Sequence, residues 1–270
     1  MRTRVLLLLL AGSAAAYVLV LGLVWAQQDR LVFPAAGRPA RPIDVPGVTV
    51  HWRDGLDGKR FRTARVVPPD PRAVLAFFVG NGEDLTSAAR CAAGLAGHGV
   101  AVLTAEYPGY GASEGQPSVA SLLRCAEVVA ADAEALARER GVPFVVGGSS
   151  LGSFCALHVA AAGRAARCLL CAPPTTLADA AAERFWWAPV GLLLRHRFDN
   201  VAIAPAVRCA VRIVHGDRDA IVPLAHGQRL RDLLGGPTDL VVVPGRGHND
   251  LSLAVDGPVG SSVGAFWRGE

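Results

Sequence analysis

Short apolar runs alternating with alanine-rich helical stretches predict an α/β domain, with a mostly parallel central sheet and helices on both faces. Three observations carry the prediction. The runs at 73–79, 100–105, 144–147, 167–171, 211–215 and 239–243 are short and largely apolar, and read as strands buried on both faces. The stretches at 87–96, 118–140, 151–162, 224–234 and around 259–267 carry helical spacing between and after them. Ahead of the alternation, 48–52 and 61–67 read as an antiparallel hairpin, with Asp54-Gly55 and Asp57-Gly58 supplying turn chemistry.

The elements divide the chain into an N-terminal membrane element over 1–27, a tether over 28–45 and a globular domain over 46–270. Residues 5–26 form a 22-residue stretch without a charge, opened by Leu6 to Leu10. As a helix it spans about 33 Å, enough for a bilayer core. Arg2 and Arg4 precede it and Gln27, Gln28 and Asp29 follow, so the positive-inside rule puts the N-terminus in the cytoplasm and the domain on the extracytoplasmic side. A signal peptide cut near Val24-Trp25-Ala26, releasing a secreted domain, is the rival reading; the apolar stretch exceeds the 7–15 residues usual for a signal core. Residues 28–45, rich in Arg, Pro, Gly and Ala, read as the tether. Within the domain, 173–207 interrupts the strand–helix alternation and carries Phe185-Trp186-Trp187 and Leu192-Leu193-Leu194, the pattern of a small cap over the sheet's carboxyl edge.

Composition narrows the function. The chain has 270 residues, 51% hydrophobic and 19% charged, so it has the makings of one buried core rather than a disordered chain. The net charge of +4 comes from scattered arginines with no cluster, and no nucleic-acid partner is expected. Of six cysteines only Cys168 and Cys171 are close, on a strand pattern where residues three apart face opposite ways, so no metal site is expected and the cysteines read as small buried hydrophobes. Disulfides remain open for an exported domain.

Gly148-Ser149-Ser150-Leu151-Gly152 follows a strand pattern and opens a helix pattern. Glycines two before and two after Ser150 allow a sharp strand-to-helix turn that lifts its hydroxyl into the open and aims the Leu151 N–H at a reacting carbonyl. Ser149 has no role in that pattern. A serine hydroxyl needs a base, and the base an orienting acid, in the order serine, acid, histidine beyond successive strand ends. The run 211–215 leads into Gly216-Asp217-Arg218-Asp219-Ala220-Ile221-Val222-Pro223, and 239–243 leads into Gly245-Arg246-Gly247-His248. Asp219 is the expected acid, with Asp217 its rival, and His248 the expected base; a loop histidine that is merely solvated is the bland alternative. A second oxyanion donor is expected in Gly80-Asn81-Gly82, most simply the backbone N–H of Asn81.

With these residues in view the chain resembles the α/β-hydrolase superfamily over residues 45–268, and looks closest to its membrane-anchored abhydrolase domain-containing branch, related to the serine-aminopeptidase-like group. The likeness rests on Gln28-Asp-Arg-Leu-Val-Phe-Pro34, on Glu106-Tyr-Pro-Gly-Tyr-Gly-Ala-Ser-Glu-Gly-Gln-Pro-Ser118, on the Ser150 turn and on the Gly-x-x-Asp-x-x-Val-Pro turn that favours Asp219. Glu106 stands where relatives usually carry Asp, and Val79 where they usually carry His. The resemblance implies an α/β-hydrolase fold and cleavage of an ester, thioester or amide without metal or organic cofactor, by a carboxylesterase, lipase-like or acyl-protein thioesterase-like activity. A peptidase and a non-catalytic binding module of the same fold are the alternatives. A small-molecule or lipidic acyl substrate is expected, with residues 5–26 as the contact to the membrane. Glu83 and Asp84 are expected to face solvent, since carboxylates turned toward an oxyanion would oppose its charge.

Overall fold

The computed structural model describes residues 2–268; Met1 of the segment read as a membrane element and residues 269–270 lie outside the described residues. Eight strands form one sheet: β1 (Val48–Asp54), β2 (Arg60–Val66), β3 (Val74–Phe78), β4 (Ala101–Ala105), β5 (Phe144–Ser149), β6 (Arg167–Cys171), β7 (Ala210–Gly216) and β8 (Thr238–Val243), in the order β1-β2-β4-β3-β5-β6-β7-β8. β1 and β2 form the expected hairpin, closed by a short 3₁₀ turn in which Asp57 and Gly58 take positive φ. β2 runs antiparallel to β4, and every pairing from β4 to β8 is parallel.

β3, β4 and most of β5, β6 and β7 are buried, as their largely apolar runs require. β8 departs from the expectation. It pairs only with β7, so it is the sheet's edge, and only Val243 is fully buried. β5 also runs two residues beyond the expected end, carrying Gly148 and Ser149 into the turn.

The helices α2 and α3 start where side chains satisfy their first N–H groups. Asp84 caps α2 (Leu85–Ala96) by accepting from Ser87 N–H, and Ser118 and Ser121 form a reciprocal capping box at α3 (Val119–Arg140). α4 (Gly152–Ala161) packs on β3, β5 and β6, and α8 (Leu224–Leu233) packs on β7 and β8. The terminal helix α9 (Gly260–Arg268) follows a loop that seats Ala254 and Val255 against Gly94 and Gly97 at the end of α2.

Between β6 and β7 the chain leaves the sheet as α5 (Leu177–Arg184), α6 (Val190–Leu193) and α7 (Asn200–Ile203), the excursion read as a cap. Buried Asn200 pins it, its Nδ2 donating to Ser153 Oγ at 2.9 Å and to Pro174 O at 2.8 Å.

The N-terminal helix α1 (Arg2–Val32) outruns the uncharged stretch and ends on the domain. Of the segment read as a tether, residues 28–36 pack: Val32, Phe33 and Ala35 are buried, Phe33 meets His196 and Phe198 edge-on, and Ala36 bridges to Tyr110. Burying a side chain such as Phe33 contributes about 1.5–3 kcal/mol. All six cysteines are free. Cys171 is buried, which pushes its thiol up to about 12, as suits an inert small hydrophobe.

Candidate active site

The parallel strands present their carboxyl ends on one rim, and the chain order reverses around β3, which has β4 on one side and β5 on the other. A crevice opens at such a reversal. The loops after β3, β5, β7 and β8 meet there.

Ser150 sits between β5 and α4 with φ of 50°, a left-handed conformation rare for a residue with a side chain, and its N–H donates to Cys171 O at 2.8 Å. Such strain costs on the order of 1–3 kcal/mol and is held by its surroundings. The flanking glycines are sterically required. A Cβ at Gly148 would lie 2.3 Å from Gly152 O, and one at Gly152 would lie 2.1 Å from Phe78 O. The strand, the helix and β3 approach too closely for any side chain at those two positions.

The three side chains expected from the strand ends stand together. His248 Nε2 lies 3.0 Å from Ser150 Oγ, and His248 Nδ1 lies 2.7 Å from Asp219 Oδ2. Asp219 Oδ1 accepts from the N–H groups of Ile221 and Val222 at 2.9 and 2.8 Å. Burial alone would raise the Asp219 carboxyl, but hydrogen bonds from His215, His248 and Val222 outweigh it and hold the group well below the usual carboxylate range. It is therefore anionic near neutral pH, and can stabilise an imidazolium at His248. Asp217 is committed elsewhere, accepting from Gly245 N–H at 2.6 Å on the exposed side. Asp250 accepts from Gly247 N–H at 3.0 Å and steadies the His248 loop.

Asn81 and Leu151 line the cavity beside Ser150. Among the described residues, neither backbone N–H has a hydrogen-bond acceptor, so both are open to a ligand oxygen. The motif 106–118 explains how the Asn81 loop is held. Tyr107 Oη donates to Val79 O and Tyr110 Oη to Asn81 O, each at 2.7 Å. Glu106 is buried, paired with Arg62 through two bonds of 2.9 and 2.7 Å, and it accepts from the N–H groups of Ala112 and Ser113. A Cβ at Gly111 would fall 2.1 Å from Glu106 Oε1, which is why the turn there closes only with glycine.

Three features of the site had little or no signal in the sequence. Glu83, expected to face solvent, turns inward: its Oε1 accepts from Gly80 N–H at 3.0 Å. Burial raises its pKa against that hydrogen bond, and the neighbouring Asp84 charge adds to the rise. The reason is local: Asp84 is taken by the α2 cap and Arg41, leaving Glu83 as the acceptor that closes the Gly80–Glu83 turn. His215, fully buried at the end of β7, has Nε2 2.8 Å from Val222 O and 3.4 Å from Asp219 Oδ2. A carbonyl only accepts, so Nε2 carries the proton and turns a positive edge toward Asp219. Sequence position alone marked His215 as a strand end. The last turns of α1 are the third feature: Val24, Trp25, Gln28, Leu31 and Val32 line the cavity, and Asn81 Nδ2 donates to Val32 O at 2.6 Å. The cavity has a volume of about 510 Å³ and is bounded otherwise by cap residues such as Phe185 and Leu194 and by the Ala220–Val222 turn.

A parallel sheet with a strained serine turn, an acid and a histidine on successive strand ends defines the class: an α/β hydrolase fold. Comparisons agree. A family model described as serine aminopeptidase, S33, matches residues 69–203. An uncharacterized protein of Mycobacterium tuberculosis is 33% identical over 252 residues, covering 89% of this chain and 86% of its own. Alpha/beta hydrolase domain-containing protein aho-3 of Caenorhabditis elegans is 29% identical, over 83% of this chain and 67% of its own. Among solved structures, the esterase PF2001 of Pyrococcus furiosus superposes with a TM-score of 0.72 at 14% identity, over 87% of this chain and 96% of that one. A membrane phospholipase A, a bacterial virulence factor, superposes with a TM-score of 0.60 at 16% identity, over 100% and 99%. The chain belongs to the α/β-hydrolase superfamily.

Proposed function

We propose that this protein is a membrane-anchored serine hydrolase that cleaves an ester or thioester of an acylated substrate, with Ser150 as nucleophile, His248 as general base and acid, and Asp219 as the orienting carboxylate. The observation that carries the reading is the continuous relay of 3.0 and 2.7 Å from hydroxyl through imidazole to carboxylate. In the first half-reaction the Ser150 Oγ–acyl bond forms as the Ser150 proton passes to His248. The N–H groups of Asn81 and Leu151 hold the oxyanion. The bond to the leaving group then breaks and that group takes the proton from His248. Water repeats the sequence on the acyl-enzyme and regenerates Ser150. Removing one side-chain oxyanion donor from a hydrolase costs about 2.7–4 kcal/mol of barrier, which sets the scale for each N–H here.

α1 is retained in the working protein on this reading. A cut after Ala26 would strip Val24 and Trp25 from the cavity wall and sever the packed segment 28–36 from its helix. Arg2 and Arg4 then keep the N-terminus cytoplasmic and the domain on the far side. The apolar cavity favours an acyl chain over the peptide substrate suggested by the family model's name, serine aminopeptidase.

The test is intact-mass analysis of the full chain in detergent after incubation with a fluorophosphonate. Wild type gains one adduct and hydrolyses p-nitrophenyl esters, while Ser150→Ala does neither and keeps its thermal midpoint. An adduct that persists in Ser150→Ala removes Ser150 from the mechanism.

A further inference from the structure

The membrane helix and the active site, separate in sequence, share one wall. Val24, Trp25, Gln28, Leu31 and Val32 of α1 face the same cavity as Ser150. Their spacing, together with half-buried Leu21, places them along one side of the helix, the side turned to the domain.

This seat is built by specific contacts. Gln28 is buried, donates from Nε2 to Leu193 O at 3.3 Å, and accepts at Oε1 from Arg195 N–H at 2.7 Å. Asp29 Oδ1 accepts from Arg195 Nη2 at 3.0 Å and pairs with His196 Nε2 at 2.7 Å. Tyr17 Oη donates to Trp187 O at 2.8 Å, and the Arg195 guanidinium lies 4.9 Å from the Trp25 ring centroid. The cap is therefore clasped to the helix at several points along the helix's second half.

Depth gives the clasp a meaning. The uncharged stretch 5–26 is about 33 Å long as a helix, against a hydrocarbon core of about 30 Å. Val24 and Trp25 stand at the domain end of that stretch, and Tyr17, about 10 Å further in along the helix, already meets the cap at Trp187 O, so the cavity wall and the cap enter the outer part of the hydrocarbon. Trp25 beside Arg195 has the chemistry of a membrane–water boundary. On the cap, Trp186 and Leu192 are 83% and 85% exposed, an arrangement costly in water and suited to lipid contact.

We infer that the anchor is part of the substrate site: the acyl chain lies along α1, between it and the α5–α6 cap, and reaches Ser150 by moving sideways out of the bilayer. The inference rests on the reading of Ser150 as nucleophile and adds the origin and path of the substrate. A long acyl chain stays among apolar groups from bilayer to active site, and its scissile carbonyl arrives between Ser150 and the Asn81 loop, which Val32 O already ties to α1.

Two measurements on the full chain in phosphatidylcholine vesicles test it. In the first, Val24→Trp and Leu31→Trp narrow the wall, and kcat/KM is compared for p-nitrophenyl palmitate and p-nitrophenyl acetate. The palmitate-to-acetate ratio is expected to fall tenfold or more in both variants; a ratio unchanged in both overturns the inference. In the second, wild type is labelled with a hexadecyl fluorophosphonate carrying a terminal diazirine, irradiated and mapped by mass spectrometry. Crosslinks on α1 between residues 17 and 32 are expected, and crosslinks confined to residues outside α1 overturn it without reference to any variant. Failure of the underlying reading is distinct: wild type then hydrolyses neither ester and takes up no label.

Discussion

Tyr107→Phe removes one hydroxyl from beneath the Asn81 loop while keeping the shape of the side chain. That hydroxyl donates to Val79 O at 2.7 Å, and Tyr107 is 1% exposed, so no water reaches the orphaned carbonyl. A buried acceptor left without its donor costs about 1–3 kcal/mol. For a domain of this size each kcal/mol moves the thermal midpoint by roughly 2–4 °C, so a fall of about 2–12 °C is expected. The kinetic effect has its own ceiling. Val79 leads directly into Gly80 and Asn81, and complete loss of the Asn81 N–H from the oxyanion would lower kcat by about 10²–10³. Tyr107→Phe should fall short of that ceiling and leave KM nearly unchanged, because the donor acts on the transition state. Thermal melts and p-nitrophenyl ester kinetics in the same detergent measure both quantities. A variant that melts early but keeps its kcat would refute the claim that Tyr107 holds the loop in place, and one unchanged in both would refute the hydrogen bond's importance altogether.

Glu106 and Glu83 carry two further predictions. Arg62→Met leaves buried Glu106 without its partner and should destabilise the fold by about 3–5 kcal/mol, read as an earlier urea or thermal midpoint; a shift no larger than that of an exposed arginine such as Arg90 would contradict the pairing. Glu83 acts with the opposite sign to a salt-bridged acid. Its folded pKa lies above the unfolded value of about 4.3, so folding stability falls as pH rises from there through the folded value. Glu83→Gln should remove that slope and raise the thermal midpoint at neutral pH relative to acid pH, and it should raise kcat where wild-type Glu83 is ionised, since a carboxylate near the oxyanion loop opposes developing negative charge. A midpoint below wild type across the whole pH range would overturn this account.

The sheet was legible because strands buried on both faces leave short, largely apolar runs, and the turn at Ser150 was legible because glycines at 148 and 152 are imposed by backbone approaches of 2.3 and 2.1 Å. Asp219 and His248 could be picked out because each follows a strand end in chain order, and His248 Nδ1 stands 2.7 Å from Asp219. Edge position left no such mark: 239–243 is as apolar as a central strand, yet β8 has a neighbour on one side only. Glu83 misled because a charged residue in a glycine-rich loop reads as solvated, whereas here its carboxylate closes the turn on Gly80 N–H. The end of α1 was least legible of all. A 22-residue uncharged stretch announces a long apolar helix, but whether the residues after it pack depends on Gln28 finding Leu193 O and Arg195 N–H, contacts 165 and 167 residues away in the chain.

The central claim is that Ser150 carries the acyl group between the two half-reactions, and rapid-quench mass spectrometry of the full chain mixed with excess p-nitrophenyl ester tests it most directly. The account predicts a burst of about one equivalent of p-nitrophenol per active site, with the acyl mass on the peptide containing Ser150 and lost again as turnover proceeds. Turnover with no acylated peptide at any time, or with the acyl group on a residue other than Ser150, would contradict it.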